Sequence, residues 1–365
     1  MKMQRISAFI LAGFVVFAIV AASCAPAPTP APTPAPPTAA PAATTALAAT
    51  SAPAATVVPP TATVAARPKT RLSIATGTVA AVYYPYGGGL AALISKNVTN
   101  VEATAEATAA SVDNMKLIQS GKADLAITMS DTAFDALKGQ GPFKDSGAVP
   151  VRALAILYSN YTHIVVTDDS GIKTIADMKG KRVSTGPPNS GVEVMAVRLL
   201  DAVGLDPDKD LQRQRLSPAD SANAIKDRKM DAFFWTGGLP TPAIQELVNT
   251  PGAKVRFLAN TEYIPKLVDK WGPFYFKLTI PKATYAGMDG DADVIGIANM
   301  LVVNEKFDAC IAYEILKMMV DKQSDLALIH DEAKRFGLPQ ATVGSPLPFH
   351  PGAVKFYADK GLTVK

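Results

Sequence analysis

Histidine and cysteine are scarce in this chain, three and two residues among 365. His163, His330 and His350 lie far apart and without metal-ligand spacing, so no histidine-built metal centre is expected. The glycine-rich stretch Gly77–Gly89 lacks Gly-x-Gly-x-x-Gly, and no loop holds the lysine of a phosphate-binding P-loop. No Gly-x-Ser-x-Gly elbow is present, which leaves a serine hydrolase without its motif. The run Asp289, Asp291, Asp293 lacks the twelfth-position ligand of a calcium loop and reads as a solvated acidic turn. Cys24 and Cys310 build no disulfide framework; Cys310, in the apolar run Phe307–Val320, reads as a buried small hydrophobe, without the basic neighbour a nucleophile would want. Charge is scarce too. The formal +4 falls to +2 once Lys2 and Arg5 are set aside, and a near-neutral body argues against nucleic acid as a partner.

The first segment is a targeting one. Lys2 and Arg5 precede an apolar stretch, Ile6–Val20, that is too short for a convincing membrane span. It ends at Ala21-Ala22-Ser23-Cys24, which resembles a bacterial lipobox. That resemblance implies a signal peptide over 1–23, lipidation at Cys24 and a lipid anchor in the cell membrane; a plain secretory signal cut nearby is the alternative. Either implies export. Ala25–Ala66 is built from Ala, Pro and Thr without a charge. Such a linker has too few large apolar groups for a core and reads as an extended tether, reaching on the order of 100 Å at about 3 Å per residue.

The remaining 300 or so residues suit one large domain or two lobes, with two lobes the favoured reading. β-type runs at Arg71–Thr76, Val101–Ala107, Asp124–Met129, Val151–Tyr158 and His163–Thr167 alternate with helical patterns, the first of them over Leu90–Lys96. This predicts a mainly parallel α/β sheet. Later strands are read at Arg182–Ser184, Arg213–Leu216, Met230–Trp235 and Val294–Val303, and later helices at Phe307–Val320 and Ser324–Phe336. Val183–Val194 is the clearest local signal. A strand ends at Ser184, the chain turns through Gly186-Pro187-Pro188-Asn189, and Ser190 with Glu193 forms a capping box that opens a helix. A helix start of this kind aims unpaired N–H groups and a positive dipole end at whatever enters the loop.

Four strand-end loops are candidates for a cleft: Thr76–Gly89, Met129–Thr132, Thr185–Gly191 and Trp235–Pro242. None holds Arg or Lys, and Asp131 is their one charge. A small acid would be held there by helix N-termini and hydroxyls rather than by a salt bridge. Several roles stay open from the residues alone. Ser190 caps its own helix or touches ligand; Asp131 caps a turn or touches ligand; Tyr83 and Tyr84, if extended, point opposite ways. His163 reads as a satisfied core or hinge histidine.

The body resembles the TAXI family of solute receptors of tripartite ATP-independent periplasmic (TRAP) transporters. The resemblance is carried by Ile74-Ala75-Thr76-Gly77 with Tyr83-Tyr84-Pro85, by Ser111-Val112-Asp113-Asn114, and by Ser130-Asp131. It continues through Asp177-Met178-Lys179-Gly180-Lys181-Arg182, Gly186-Pro187-Pro188-Asn189-Ser190-Gly191, Phe233-Phe234-Trp235 with Gly237-Gly238, and His350-Pro351-Gly352. It implies a two-lobe periplasmic-binding-protein fold, type II-like, with an inter-lobe cleft. One lobe would comprise 68–162 and 288–365, and the other 163–287, after a lipidated Cys24 and linker over 24–67. It also implies an extracytoplasmic receptor for a small carboxylate, an acidic amino acid or a dicarboxylate such as 2-oxoglutarate, delivered to an ion-gradient-driven TRAP permease. No cofactor and no metal are expected. The ligand contacts it implies are Thr76, Tyr83 or Tyr84, Ser130, Asp131, Thr185, Gly186, Asn189, Ser190, Gly191, Trp235, Thr236 and Gly237. A sensing receptor on the same fold, or an enzyme acting on a small acid, are the alternatives.

Overall fold

A computed structural model describes residues 67–365. The expected signal peptide, the Cys24 anchor and nearly all of the linker lie outside the described residues. In chain order come β1 (Thr70–Ala75), α1 (Tyr83–Asn97), β2 (Val101–Glu106), α2 (Ser111–Ser120), β3 (Leu125–Met129), α3 (Ser130–Lys138) and β4 (Val151–Thr167). Next are β5 (Arg182–Ser184), α4 (Gly191–Ala202), β6 (Gln212–Gln214), α5 (Pro218–Lys226), β7 (Ala232–Gly237), α6 (Pro242–Val248) and β8 (Val255–Phe257). Then follow α7 (Ile264–Trp271), β9 (Tyr275–Ile280), β10 (Ala292–Asn304), α8 (Ala309–Asp321), α9 (Gln323–Ala327), α10 (Leu338–Ala341) and α11 (Pro351–Asp359).

The strands form one sheet in the order β2-β1-β3-β10-β4-β7-β5-β6, with β8 on β4 and β9 on β10 outside that path. β1 runs parallel to β2 and β3, and β5 parallel to β6 and β7, as strand–helix–strand units require. The centre is antiparallel, because β4 and β10 run against each other and against β7 and β3. The sheet is therefore mixed, where the sequence suggests a mainly parallel one.

β4 and β10 tie the two halves together. β4 pairs with β10 from Val151 to Tyr161, then with β7 from Tyr161 to Val166. β10 pairs with β9 from Ala292 to Ile297, and with β3 from Asn299 to Val303. The break expected between Tyr158 and His163 does not occur. Nearly every residue of this 17-residue strand is buried, and the polar step in mid-strand is met in part sideways: Asn160 donates to Asn299 Oδ1 at 3.0 Å.

Side-chain alternation places the cores. In the half beyond the exchange point, Ile164 and Val166 pack with Met195 and Leu199 of α4 on one face. Val165 joins Phe233, Trp235 and Ile244 on the other. In the first half one cluster gathers Ile74, Ile127, Leu154 and Leu301 with Leu90, Met115, Ile315 and Phe356 from the helices. Each fully buried side chain of this size contributes about 1.5–3 kcal/mol. The architecture is the two-lobed α/β class that the sequence suggests.

Three local expectations are corrected. α1 starts at Tyr83 rather than Leu90, and its Gly87 and Gly89 serve close packing: a Cβ would sit 2.4 Å from Thr76 Cγ2 and 2.4 Å from Ile329 Cδ1 respectively. The helix expected over Ser324–Phe336 is broken into α9 and a 3-10 turn, Asp331–Arg335, because His330 caps the turn by accepting the N–H of Glu332. Cys310 is exposed, since it lies in the first turn of α8, ahead of the buried Ile311 and Ala312.

Candidate functional site

Where the two halves of the sheet meet lies a concavity that is partly open to solvent. Its wall is made of strand ends and the turns that follow them. The β1–α1 turn supplies Gly77, Thr78, Ala81, Val82 and Tyr83, and the approach to α2 supplies Ala109, Ala110 and Ser111. Met129 comes from the end of β3, Tyr158 and Asn160 from mid-β4. The β5–α4 loop contributes Pro187, Ser190, Gly191 and Val192, and the end of β7 Trp235, Thr236 and Gly237.

Four helix starts converge on this space. The N-cap residues of α1, α2, α3 and α4 are Val82, Ala110, Met129 and Ser190, and all four line the wall. The first N–H groups of each helix have no intrahelical acceptor, and each helix end carries roughly half a positive charge. Ala110 holds φ at 80°, a conformation that costs a non-glycine residue about 1–3 kcal/mol. The surrounding packing maintains that strain at the wall.

The polar side chains of the wall are neutral. Tyr83 donates its hydroxyl to Asn299 Oδ1, which also accepts from Asn160. Burial raises the Tyr83 and Tyr158 phenols above their ordinary value, so both keep their protons. The hydroxyls of Thr78 and Tyr158 and one amide oxygen, Asn160 Oδ1, are buried without a protein partner. Buried polar atoms are nearly always paired, so the unpaired ones on this wall make it a candidate place for water or a ligand; the Tyr86 hydroxyl and Asn299 Nδ2 are also unpaired, outside the lining. Tyr158→Phe removes an unpaired hydroxyl and no internal hydrogen bond. The variant is expected to unfold at or slightly above the wild-type midpoint while losing about tenfold in ligand affinity; calorimetry and thermal melting read the two separately.

The indole of Trp235 is fixed from behind. It donates to Thr241 Oγ1 at 2.9 Å, and Thr241 in turn donates its N–H to the Tyr285 hydroxyl at 2.9 Å. That hydroxyl lies 3.1 Å from His163 Nε2, whose Nδ1 faces the Tyr161 carbonyl at 2.9 Å. His163 is thus a satisfied core histidine with its proton on Nδ1. Burial lowers its pKa from 6.5 to about 4. Between those values the unfolded chain binds the proton and the folded one does not. Stability therefore falls as pH drops from about 6.5 to about 4 and levels off below, a loss of about 3 kcal/mol. His163→Gln is expected to abolish this step in acid denaturation curves, whatever its stability at pH 8.

The expected contacts divide. Tyr83, Ser190, Gly191, Trp235, Thr236 and Gly237 line the concavity. Thr76, Tyr84, Ser130, Asp131, Thr185, Gly186 and Asn189 do not. Thr76 is buried under α1 and donates to the Glu106 carbonyl. Tyr84, one residue on along α1, is partly exposed. Ser130 is buried at the start of α3, off the wall. Asp131 accepts from Arg198 at 2.7 Å, from Tyr275 at 3.1 Å and from the Thr132 N–H at 2.6 Å. Thr185 accepts from Arg213, and Gly186 packs against Val192. Asn189 is exposed; its carbonyl accepts the Asp113 N–H of α2.

The capping box at Ser190 is half formed. Ser190 accepts the Glu193 N–H and donates to the Pro187 carbonyl, so its hydroxyl is engaged in both directions. Glu193 reaches the Asn189 N–H and binds Arg213 and Arg215. Wall residues missed in the sequence include Tyr158, Asn160 and Ser111, whereas Thr78 lies in the first candidate loop. The signal that could have found two of them is Tyr158-Ser159-Asn160 inside an otherwise apolar run.

Besides the bond between Asn189 and Asp113, two buried ties join the halves. Arg198 of α4 is buried against Asp131 and Asp135 of α3 and the hydroxyl of Tyr275. Glu332, fully buried beside Ala333 of the first core, accepts the Leu239 N–H at 2.6 Å. Among the described residues no group of three or more His, Cys, Asp or Glu could hold a metal ion.

A sequence profile described as the NMT1-like family matches residues 74–361. Among solved structures, the alkanesulfonate-binding protein of Xanthomonas axonopodis pv. citri bound to MOPS is 17% identical, covers 81% of this chain and 92% of its own, and has a TM-score of 0.43. An ancestral arginine-binding protein bound to arginine is 16% identical over 73% of this chain and 98% of its own, with a TM-score of 0.45. The L-cystine solute receptor of Neisseria gonorrhoeae, unliganded and open, is 14% identical over 73% and 93%, with a TM-score of 0.34.

Proposed function

The chain belongs to the NMT1-like family, and from that premise we propose that it is an extracytoplasmic receptor that captures a small carboxylate and hands it to a membrane permease. The observation that carries this reading is the convergence of four helix starts on one concavity, two of whose buried hydroxyls, those of Thr78 and Tyr158, have no protein partner. Dipole ends and neutral donors are suited to holding an anion reversibly. The lobe of 68–162 and 288–365 closes on that of 163–287 about β4 and β10, so that ligand is touched from both sides. The Arg198 and Glu332 ties hold the closed arrangement. The resemblance to TAXI receptors supports an ion-gradient-driven TRAP permease as the partner, and the segment ending at Cys24 supports a lipid anchor.

Mass spectrometry of what co-purifies with the full chain, followed by calorimetric titration of small acids, tests the reading. A saturable carboxylate with micromolar or better affinity is expected. A preference for a sugar or a cation would overturn it. Uptake by vesicles carrying the partner permease is expected to follow an ion gradient without ATP, and uptake that needs ATP would overturn the choice of permease class.

A further inference from the structure

The chemistry of the wall bears on which acid fits, on the premise that the chain is a carboxylate receptor. We propose that the ligand is a small monocarboxylate with an uncharged, largely apolar body, and that the site discriminates against amino acids and dicarboxylates.

No Asp, Glu, Lys, Arg or His lines the concavity. One carboxylate can be met by helix ends and hydroxyls, each worth a fraction of a charge. A second carboxylate would have to leave water without a cation to meet it, which costs far more than a neutral polar group does. An α-ammonium faces the mirror problem. Of the acids nearest in sequence to the wall, Glu193, next to Val192, is bound to Arg213 and Arg215, Asp113 accepts the Ala109 N–H, and Asp131, two residues after Met129, is fully buried. Both its oxygens are engaged, one by Arg198 and Tyr275 and the other by Thr132. Nothing in that pair of interactions is left over for a cationic ligand.

The unpaired groups point the same way. Tyr158 and Asn160 are 3% and 1% exposed, and Tyr158 keeps its proton because burial raises its pKa. Together with the Thr78 hydroxyl they offer neutral hydrogen bonds where a dicarboxylate receptor would need a charged clamp. The rest of the wall includes Ala81, Val82, Met129, Val192 and Trp235, surfaces that favour hydrocarbon.

Four probes separate the possibilities by calorimetry on the full chain at pH 7: 2-oxoisovalerate, L-valine, 2-oxoglutarate and L-glutamate. The first two differ in an oxo group against an ammonium, and the first and third in a second carboxylate. 2-Oxoisovalerate is expected to bind on the order of 100-fold more tightly than each of the others. Equal or tighter binding of L-valine, 2-oxoglutarate or L-glutamate would overturn this specificity and leave the carboxylate receptor standing. Binding of D-glucose or spermidine with no response to any of the four acids would overturn both. Tyr158→Phe supplies a second readout: it should weaken 2-oxoisovalerate about tenfold without lowering the unfolding midpoint, and unchanged affinity would count against the proposal.

Discussion

Replacing Arg198 with Ala is expected to destabilise the protein by about 3–5 kcal/mol, the usual consequence of removing one partner from a buried ion pair. The guanidinium is 6% exposed and the side chains of Asp131 and Asp135 are 0% and 2% exposed. Without it two carboxylates remain close together in a place water hardly reaches. The loss reaches beyond charge: the guanidinium also lies 5.5 Å from the Trp271 ring, and its other partner is the Tyr275 hydroxyl. Chemical denaturation followed by circular dichroism measures the loss. Replacing Asp131 and Asp135 with Asn in the Arg198→Met background is expected to restore much of it, since no buried charge then lacks a partner. A loss below about 1 kcal/mol for Arg198→Ala would mean that the triad is more open to water than its burial implies. Because α4 also carries one of the helix starts at the wall, the same variant is expected to bind ligand more weakly.

Gly191→Val should leave folding nearly intact and remove most of the binding. Gly191 is the first residue of α4, where a side chain is conformationally acceptable. The obstacle is across the cleft. A Cβ there would lie 2.1 Å from Met129 Cε, 2.8 Å from Ser111 Oγ and 3.1 Å from Ser111 Cβ. The methionine tip can move, but Ser111 opens α2 and its hydroxyl accepts the Met129 N–H. Valine would hold the two helix starts apart. At about 1–3 kcal/mol for such crowding, affinity should fall roughly 5- to 150-fold while the ligand-free unfolding midpoint stays close to wild type. Equal loss of stability and affinity would place the effect in folding instead of closure.

Local signals in the chain were strong where one segment decides the outcome. The cap at Ser190 and the long apolar β10 can each be read from adjacent residues, and each is present. Loops after strands located two-thirds of the wall, including Tyr83, Gly191 and Trp235. Legibility failed where the partner is distant. Asp131 is withdrawn from the cleft by an arginine 67 residues away, which no spacing rule connects to it. Tyr158 and Asn160 were hidden because polar residues in an apolar run resemble a strand break; only pairing with β10 shows them to be buried wall. The direction of β4 and β10 was likewise invisible, since strand polarity is set by tertiary return paths and not by composition.

An anion held without a basic side chain is what sets this site apart, and a crystal structure of the full chain with its bound acid measures that directly. The carboxylate is expected within about 3.2 Å of N–H groups at the start of α4 and of the Tyr158 hydroxyl, with no Lys or Arg nitrogen within about 4 Å. A carboxylate paired with an arginine or lysine, or seated outside the concavity between β4 and the four helix starts, would contradict it.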